Sequence, residues 1–107
     1  MQRYGLVIRL RPEVVDAYKA YHTAVWPEVL ATIKACNIHN YSIFLKDGWL
    51  FAYFEYHGRD FAADMEKMAA DPKTQEWWTI MKPMQEPLPA RAEGEWWAGM
   101  EEVFHVD

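Results

Sequence analysis

The stretch "IHNYSIFLKDGWLFAYFEY", Ile38 to Tyr56, constrains the fold more than any other. Asp47-Gly48 is a strong hairpin-turn signal. Ile38–Lys46 and Trp49–Tyr56 flank it as two strands rich in β-branched and aromatic residues. The later strand is apolar on nearly both faces. Leu50, Ala52, Phe54 and Tyr56 share one, and Trp49, Phe51 and Tyr53 share the other. A strand of this kind needs cover on both sides.

The rest of the chain supplies cover for one side. "YGLVIRLR", Tyr4–Arg11, alternates and reads as a first strand. Pro12 opens a helical segment at a position where proline is favoured, and Glu13 and Asp16 suit its positive end. Val14, Tyr18, Tyr21/His22 and Val25 form its apolar stripe. Pro27 interrupts it, and "EVLATIKAC" carries on to about Cys36. After Gly58, Asp60 caps a helix containing Phe61, Met65 and Met68. Asp71-Pro72 starts a further helix over "KTQEWWTIMKPM". Gln85–Gly99 reads as a loop anchored by Trp96-Trp97, and Met100–Val106 as a last strand. The order β-α-β-β-α-β is the ferredoxin-like pattern, an antiparallel four-stranded sheet with helices on one face. The 107 residues suit one domain. The second sheet face calls for another copy of the chain, so a homodimer through sheet faces is expected.

Charge and cysteine usage narrow the partners. The formal net charge is -5 with no Lys/Arg cluster, which argues against nucleic acid and anionic membrane. The N-terminal apolar run is too short for a signal peptide or a membrane span. A single cysteine, Cys36, fits a reducing compartment, so a cytoplasmic protein is expected. At a helix end, the negative pole disfavours a Cys36 thiolate. His22, His39, His57 and His105 lack metal-ligand spacing, and there is no glycine-rich phosphate loop. Neither metal nor cofactor is expected.

Three features bear on chemistry. Tyr18 and His22, four apart, are neighbours on one helix face. A phenol beside a group that titrates near neutral pH suits acid–base work. A core Tyr/His pair bonded to backbone is the simpler alternative. Adjacent helical residues point about 100° apart, so Trp77 and Trp78 cannot sink into one wall. Either both pack around a helix edge, or one lines a cleft where an indole face can meet the C–H face of a sugar. Tyr41, between Asn40 and Ser42, is a ligand contact or an ordinary strand residue.

"YHTAVWPEV", "HNYSIFL", "TQEWWTIMKPM" and "EEVFHV", in that order over Tyr4–Val106, resemble the L-rhamnose mutarotase family. The resemblance implies a small ferredoxin-like dimer without cofactor. Such a protein interconverts the α and β anomers of a 6-deoxy-L-hexose, most simply L-rhamnose. It also implies that His22 is the catalytic proton donor and that Tyr18, Tyr41, Trp77 and Trp78 contact the sugar. One stretch departs. Where the family carries an Asn-Pro-Asp-Asn-Ser-Pro type segment, this chain has "QEPLPARAEGEWWAGM", longer and less polar at its start. The departure bears on which sugar is taken, with L-fucose the alternative within the family. Because fold alone does not decide function, a small dimeric α/β-barrel monooxygenase and a non-catalytic sugar-binding module stand as the other readings.

Overall fold

A computed structural model describes every residue from Met1 to Asp107. β1 (Gln2–Leu10) leads through a 3-10 turn at Pro12–Val14 into α1 (Val15–His22) and α2 (Pro27–Ala35). β2 (Ile38–Lys46) and β3 (Trp49–Tyr56) follow, then α3 (Phe61–Ala70) and α4 (Pro72–Met81). A second 3-10 turn at Lys82–Met84 precedes β4 (Gln85–Glu86) and β5 (Ala98–Met100).

Local chemistry sets these boundaries. Pro12, Pro27 and Pro72 each stand in the first turn of a helical segment, where a missing amide proton costs nothing. Trp26, ahead of Pro27, takes an extended conformation with ψ 133°, which separates α1 from α2. Asp60 accepts a hydrogen bond from the Ala63 amide and caps α3. Asp71 accepts from both the amide and the hydroxyl of Thr74, each at 2.9 Å, and caps α4. These bonds hold the Asp71 carboxyl below its ordinary range, the Thr74 amide contributing most. At the hairpin, Asp47 and Gly48 take φ of 51° and 78°, as a two-residue turn of the primed type requires.

The sheet runs β2-β3-β1-β4, all antiparallel, with β5 also on β1. Its first three strands follow the ferredoxin-like pattern, and the fourth differs from expectation. β4 pairs only with Arg9 and Leu10, and β5 with Gly5–Val7. One edge strand is thus cut in two, and the residues between leave the sheet. Pro87 and Pro89 cannot donate to a ladder, so pairing stops at Glu86. The expected loop Gln85–Gly99 therefore gives residues to strands at both ends. The expected strand Met100–Val106 is corrected to Ala98–Met100. Beyond Met100 only the first few residues of β1 remain, and Arg3 meets Glu102 through side chains, with its Nη2 at 3.0 Å. Past that point no strand is left to pair, and Val103, Phe104 and Val106 stand 87%, 79% and 73% exposed.

The helices cover one sheet face. Leu50, Ala52, Phe54 and Tyr56 of β3 are buried beneath them, whereas Phe51 on the opposite face is exposed. The main core joins Ile8, Leu10, Tyr18, Val29, Leu50, Trp77 and Met81. A second cluster sets Ile38, Phe54 and Tyr56 against Phe61, Met65 and Met68 of α3. The Tyr56 hydroxyl donates to Asp64, which ties the end of β3 to α3.

Candidate functional site

Helices and sheet do not close completely. Between them lies a cavity of about 1480 Å³ with mostly apolar walls. Small-ligand pockets usually measure roughly 300–1,000 Å³, so a monosaccharide fits with solvent beside it. Tyr18, His22, Tyr41, Trp77 and Trp78 all line it.

His22 is the last residue of α1 and is half-buried. Its Nδ1 lies 2.8 Å from the Tyr18 carbonyl oxygen. A carbonyl only accepts, so Nδ1 carries the proton. Nε2 is then an acceptor in the neutral ring and a donor in the cation. The imidazole stacks on the Tyr18 ring at 4.3 Å and meets the Trp77 indole edge-on at 5.5 Å. A backbone bond and two aromatic contacts thus fix its orientation. The ring is thus bonded to backbone, as the simpler reading of the Tyr18/His22 pair has it, and it also borders the hollow.

Tyr18 is 4% exposed. Burial pushes its hydroxyl above the ordinary phenol range, partly offset by a hydrogen bond from Gln85. Tyr41 reaches the same cavity because of a β-bulge. Asn40 and Tyr41 of β2 together oppose the single Phe54 of β3, and Asn40 takes φ of 50°. Without the extra residue, strict alternation would put Ile38 and Tyr41 on opposite faces. Ile38 instead pairs with Tyr56 in the core, and the Tyr41 ring lies 5.6 Å from that of Phe54. The Asn40 amide donates to Glu55 at 2.7 Å and holds the bulge. Tyr41 is 41% exposed as a residue and lines the cavity. Desolvation, with a lesser contribution from Tyr18, pushes it up to about 12. Near neutral pH both phenols are therefore uncharged hydrogen-bonding groups and poor bases.

The paired indoles divide their work. Trp77 is buried and packs edge-on against Tyr21, His22 and Trp26. Trp78 is half-buried, with the Lys82 ammonium 5.4 Å from its ring centre. Lys82 also stands 5.3 Å from the ring centre of Trp96 and so bridges α4 to the loop.

Some lining groups were not singled out in the sequence. Gln85 is buried, donates from Nε2 to the Tyr18 hydroxyl at 3.2 Å, and accepts at Oε1 from the Trp96 indole at 2.8 Å. Nothing local in the sequence marks Gln85. The Trp96-Trp97 pair, read in the sequence as the anchor of the loop, was the available signal, and both indoles line the cavity. Glu95 is the one carboxylate in the lining. Its oxygens accept from the amides of Ala92 and Gly99, so it serves the loop. Cys36 is fully buried, and desolvation pushes its thiol up, which leaves no reactive thiolate.

Comparison with known proteins fits this geometry. The solved L-rhamnose mutarotase of Formosa agariphila superposes with a TM-score of 0.79 at 25% identity, each chain covered completely. The tetracenomycin F2 cyclase of Streptomyces glaucescens, at 15% identity and a TM-score of 0.69 over 100% of this chain and 98% of its own, shares the fold. Among curated proteins, the L-rhamnose mutarotase of Oceanobacillus iheyensis is 34% identical over the full length of both chains. That of Sinorhizobium fredii is 33% identical over 99% of each. The sequence profile of the L-rhamnose mutarotase family matches residues 3–106. With its hairpin, its histidine-lined hollow and its paired indoles, the chain belongs to the L-rhamnose mutarotase family.

Proposed function

We propose that the chain, acting as a single domain over residues 1–107, exchanges the α and β anomers of L-rhamnose. His22 is the proton-transfer group, and Tyr18, Tyr41, Trp77 and Trp78 contact the sugar. The observation that carries this reading is the Nδ1–carbonyl bond of His22 at 2.8 Å, which leaves Nε2 as the free nitrogen of a ring bordering the cavity.

Anomer exchange needs the C1–O5 bond of the hemiacetal to break and re-form on the other face. Neutral Nε2 takes the proton of the anomeric hydroxyl. As that oxygen becomes the aldehyde carbonyl, C1–O5 breaks and the imidazolium returns the proton to O5. Rotation about C1–C2 and the reverse steps give the other anomer. One imidazole serves both transfers because the two oxygens share C1, and general acid–base catalysis works best near the catalyst's own range. The neutral phenols of Tyr18 and Tyr41 offer hydrogen bonds to sugar oxygens without competing as bases. Trp78 offers an indole face for the C–H side of the ring.

Saturation-transfer NMR on L-rhamnose, L-fucose and D-glucose tests this. The exchange rate of L-rhamnose anomers rises in proportion to protein and exceeds that of the other sugars. Binding of L-rhamnose with exchange at the buffer rate would instead make the chain a sugar-binding module.

We also propose that the chain works in the cytoplasm as a homodimer. No helix is long and apolar enough to cross a membrane. Val7, Phe44 and Phe51 are cross-strand neighbours on the uncovered sheet face, with Phe44 63% exposed. At ~25 cal/mol per Å² of apolar area, leaving such a face wet forgoes several kcal/mol. A second copy is its expected cover. Sedimentation of the native chain at micromolar concentration is expected to give twice the chain mass, and Phe51→Asp to shift it to one. A native chain sedimenting as a monomer would end the dimer proposal.

A further inference from the structure

The stretch that departs from the family pattern holds the most informative hydrogen bonds in the cavity. An indole nitrogen only donates. Trp96 Nε1 stands 2.8 Å from one end of the Gln85 amide, which makes that end the oxygen. The other end, 3.2 Å from the Tyr18 hydroxyl, is therefore the NH₂ group. It donates, and the hydroxyl accepts. Gln85 is 5% exposed, so water does not compete for this arrangement. The Tyr18 hydroxyl has no other side-chain partner, and its own proton remains unspent at the cavity wall. Trp96 thus fixes Gln85, and Gln85 fixes the direction in which Tyr18 can bond.

Lys82 holds the far end of this chain. Its ammonium lies against both Trp78 and Trp96, which ties the Trp96 ring to α4. Gln85 and Trp96 flank the segment that leaves the sheet between β4 and β5. The way this loop closes is therefore coupled to the polarity of a group 67 positions earlier in the chain.

We propose that Gln85 and Trp96 are positioning residues that hold the Tyr18 hydroxyl as a hydrogen-bond donor to one oxygen of the bound sugar. The proposal deepens the mutarotase reading and rests on it for the identity of the ligand. It also gives the departing segment a role in specificity. A donor aimed into a shielded site disfavours an analogue that lacks the matching oxygen, because the donor is then left unpaired.

Gln85→Glu tests the proposal with almost no change of shape. Once ionised, a carboxylate only accepts, so at a pH raised far enough to ionise the buried acid it keeps the Trp96 bond and takes the Tyr18 proton, which no longer reaches the sugar. For L-rhamnose exchange, KM rises roughly five- to tenfold, the worth of one neutral hydrogen bond, with kcat changing less. Tyr18→Phe has an equal effect, and the double variant is no worse than Tyr18→Phe alone. Multiplied effects in the double variant would overturn the proposal. Should Gln85→Glu fail to fold, Trp96→Phe removes the indole N–H and should raise KM only in the Tyr18 background, not in Tyr18→Phe. The reversal is also read without sugar. In tyrosine-labelled protein, Gln85→Glu moves the Tyr18 ring ¹³Cζ signal downfield as the phenol becomes the donor. An unmoved signal defeats the proposal. A moved signal in a protein that neither binds nor turns over L-rhamnose would instead defeat the mutarotase reading and keep the polarity assignment.

Discussion

His22→Ala is expected to lower kcat for L-rhamnose anomer exchange by about 10²–10⁴, the typical worth of one positioned acid–base group. The fold should survive, because the half-buried ring is held by a backbone bond and two aromatic contacts and lies outside the cluster of fully buried residues. His22→Gln separates chemistry from packing. Its amide can still donate toward the Tyr18 carbonyl, yet it cannot carry a proton between two sugar oxygens. It should be nearly as inactive as the alanine variant. His39 and His57 also line the cavity, but their rings pack on each other at 4.6 Å beside Glu55 and not on Tyr18 and Trp77. Glu95 is occupied by two backbone amides, and the phenols of Tyr18 and Tyr41 are held neutral by desolvation. Saturation transfer measures the rate, and thermal melting followed by circular dichroism reports the fold. A fully active His22→Gln would remove the imidazole from the mechanism. A variant of either kind that fails to fold would return His22 to the role of a core residue.

What was legible in the sequence was local. The Asp47-Gly48 turn, the division of β3 into Leu50/Ala52/Phe54/Tyr56 and Trp49/Phe51/Tyr53, and the caps at Asp60 and Asp71 each depend on a few adjacent residues. The same holds for Tyr18 and His22, whose nearness follows from helical spacing alone. The misjudged strand shows the limit. Met100–Val106 has strand-like composition, but a strand exists only where another edge accepts it, and beyond Gly5 β1 has only Gln2–Tyr4 to offer, too few for the whole segment. Two-residue β4 has no pattern to read and is defined by the edge of β1 at Arg9 and Leu10. Within the site, the aim of Tyr41 depends on the bulge, where Asn40 adopts a left-handed conformation that its short polar side chain tolerates. Gln85 was invisible because its partners, Tyr18 and Trp96, are joined to it only by the finished fold.

The two adjacent indoles are expected to fail in different ways. Trp77 is 6% exposed and sits among Tyr21, His22 and Trp26 within the main core. Trp77→Ala should cost about 3–5 kcal/mol, as for other buried aromatics. That is a large share of the roughly 5–15 kcal/mol that holds a domain together. Each kcal/mol corresponds to about 4–8 °C in Tm for a domain near this size, so the loss is easily seen in a melt. Activity should fall with it, because the edge of the Trp77 indole orients His22. Trp78 presents a different balance. It is half-buried, and its charged neighbour Lys82 is exposed, so Trp78→Ala opens an existing hollow more than it empties a core. Its stability cost should be the smaller of the two. Its effect on KM for L-rhamnose should be on the order of tenfold, from about 50 Å² of apolar contact at ~25 cal/mol per Å². Melting curves and exchange kinetics on both variants separate the roles. If Trp78→Ala melts earlier than Trp77→Ala and leaves KM unchanged, the exposed indole is a packing residue and the sugar lies elsewhere in the cavity.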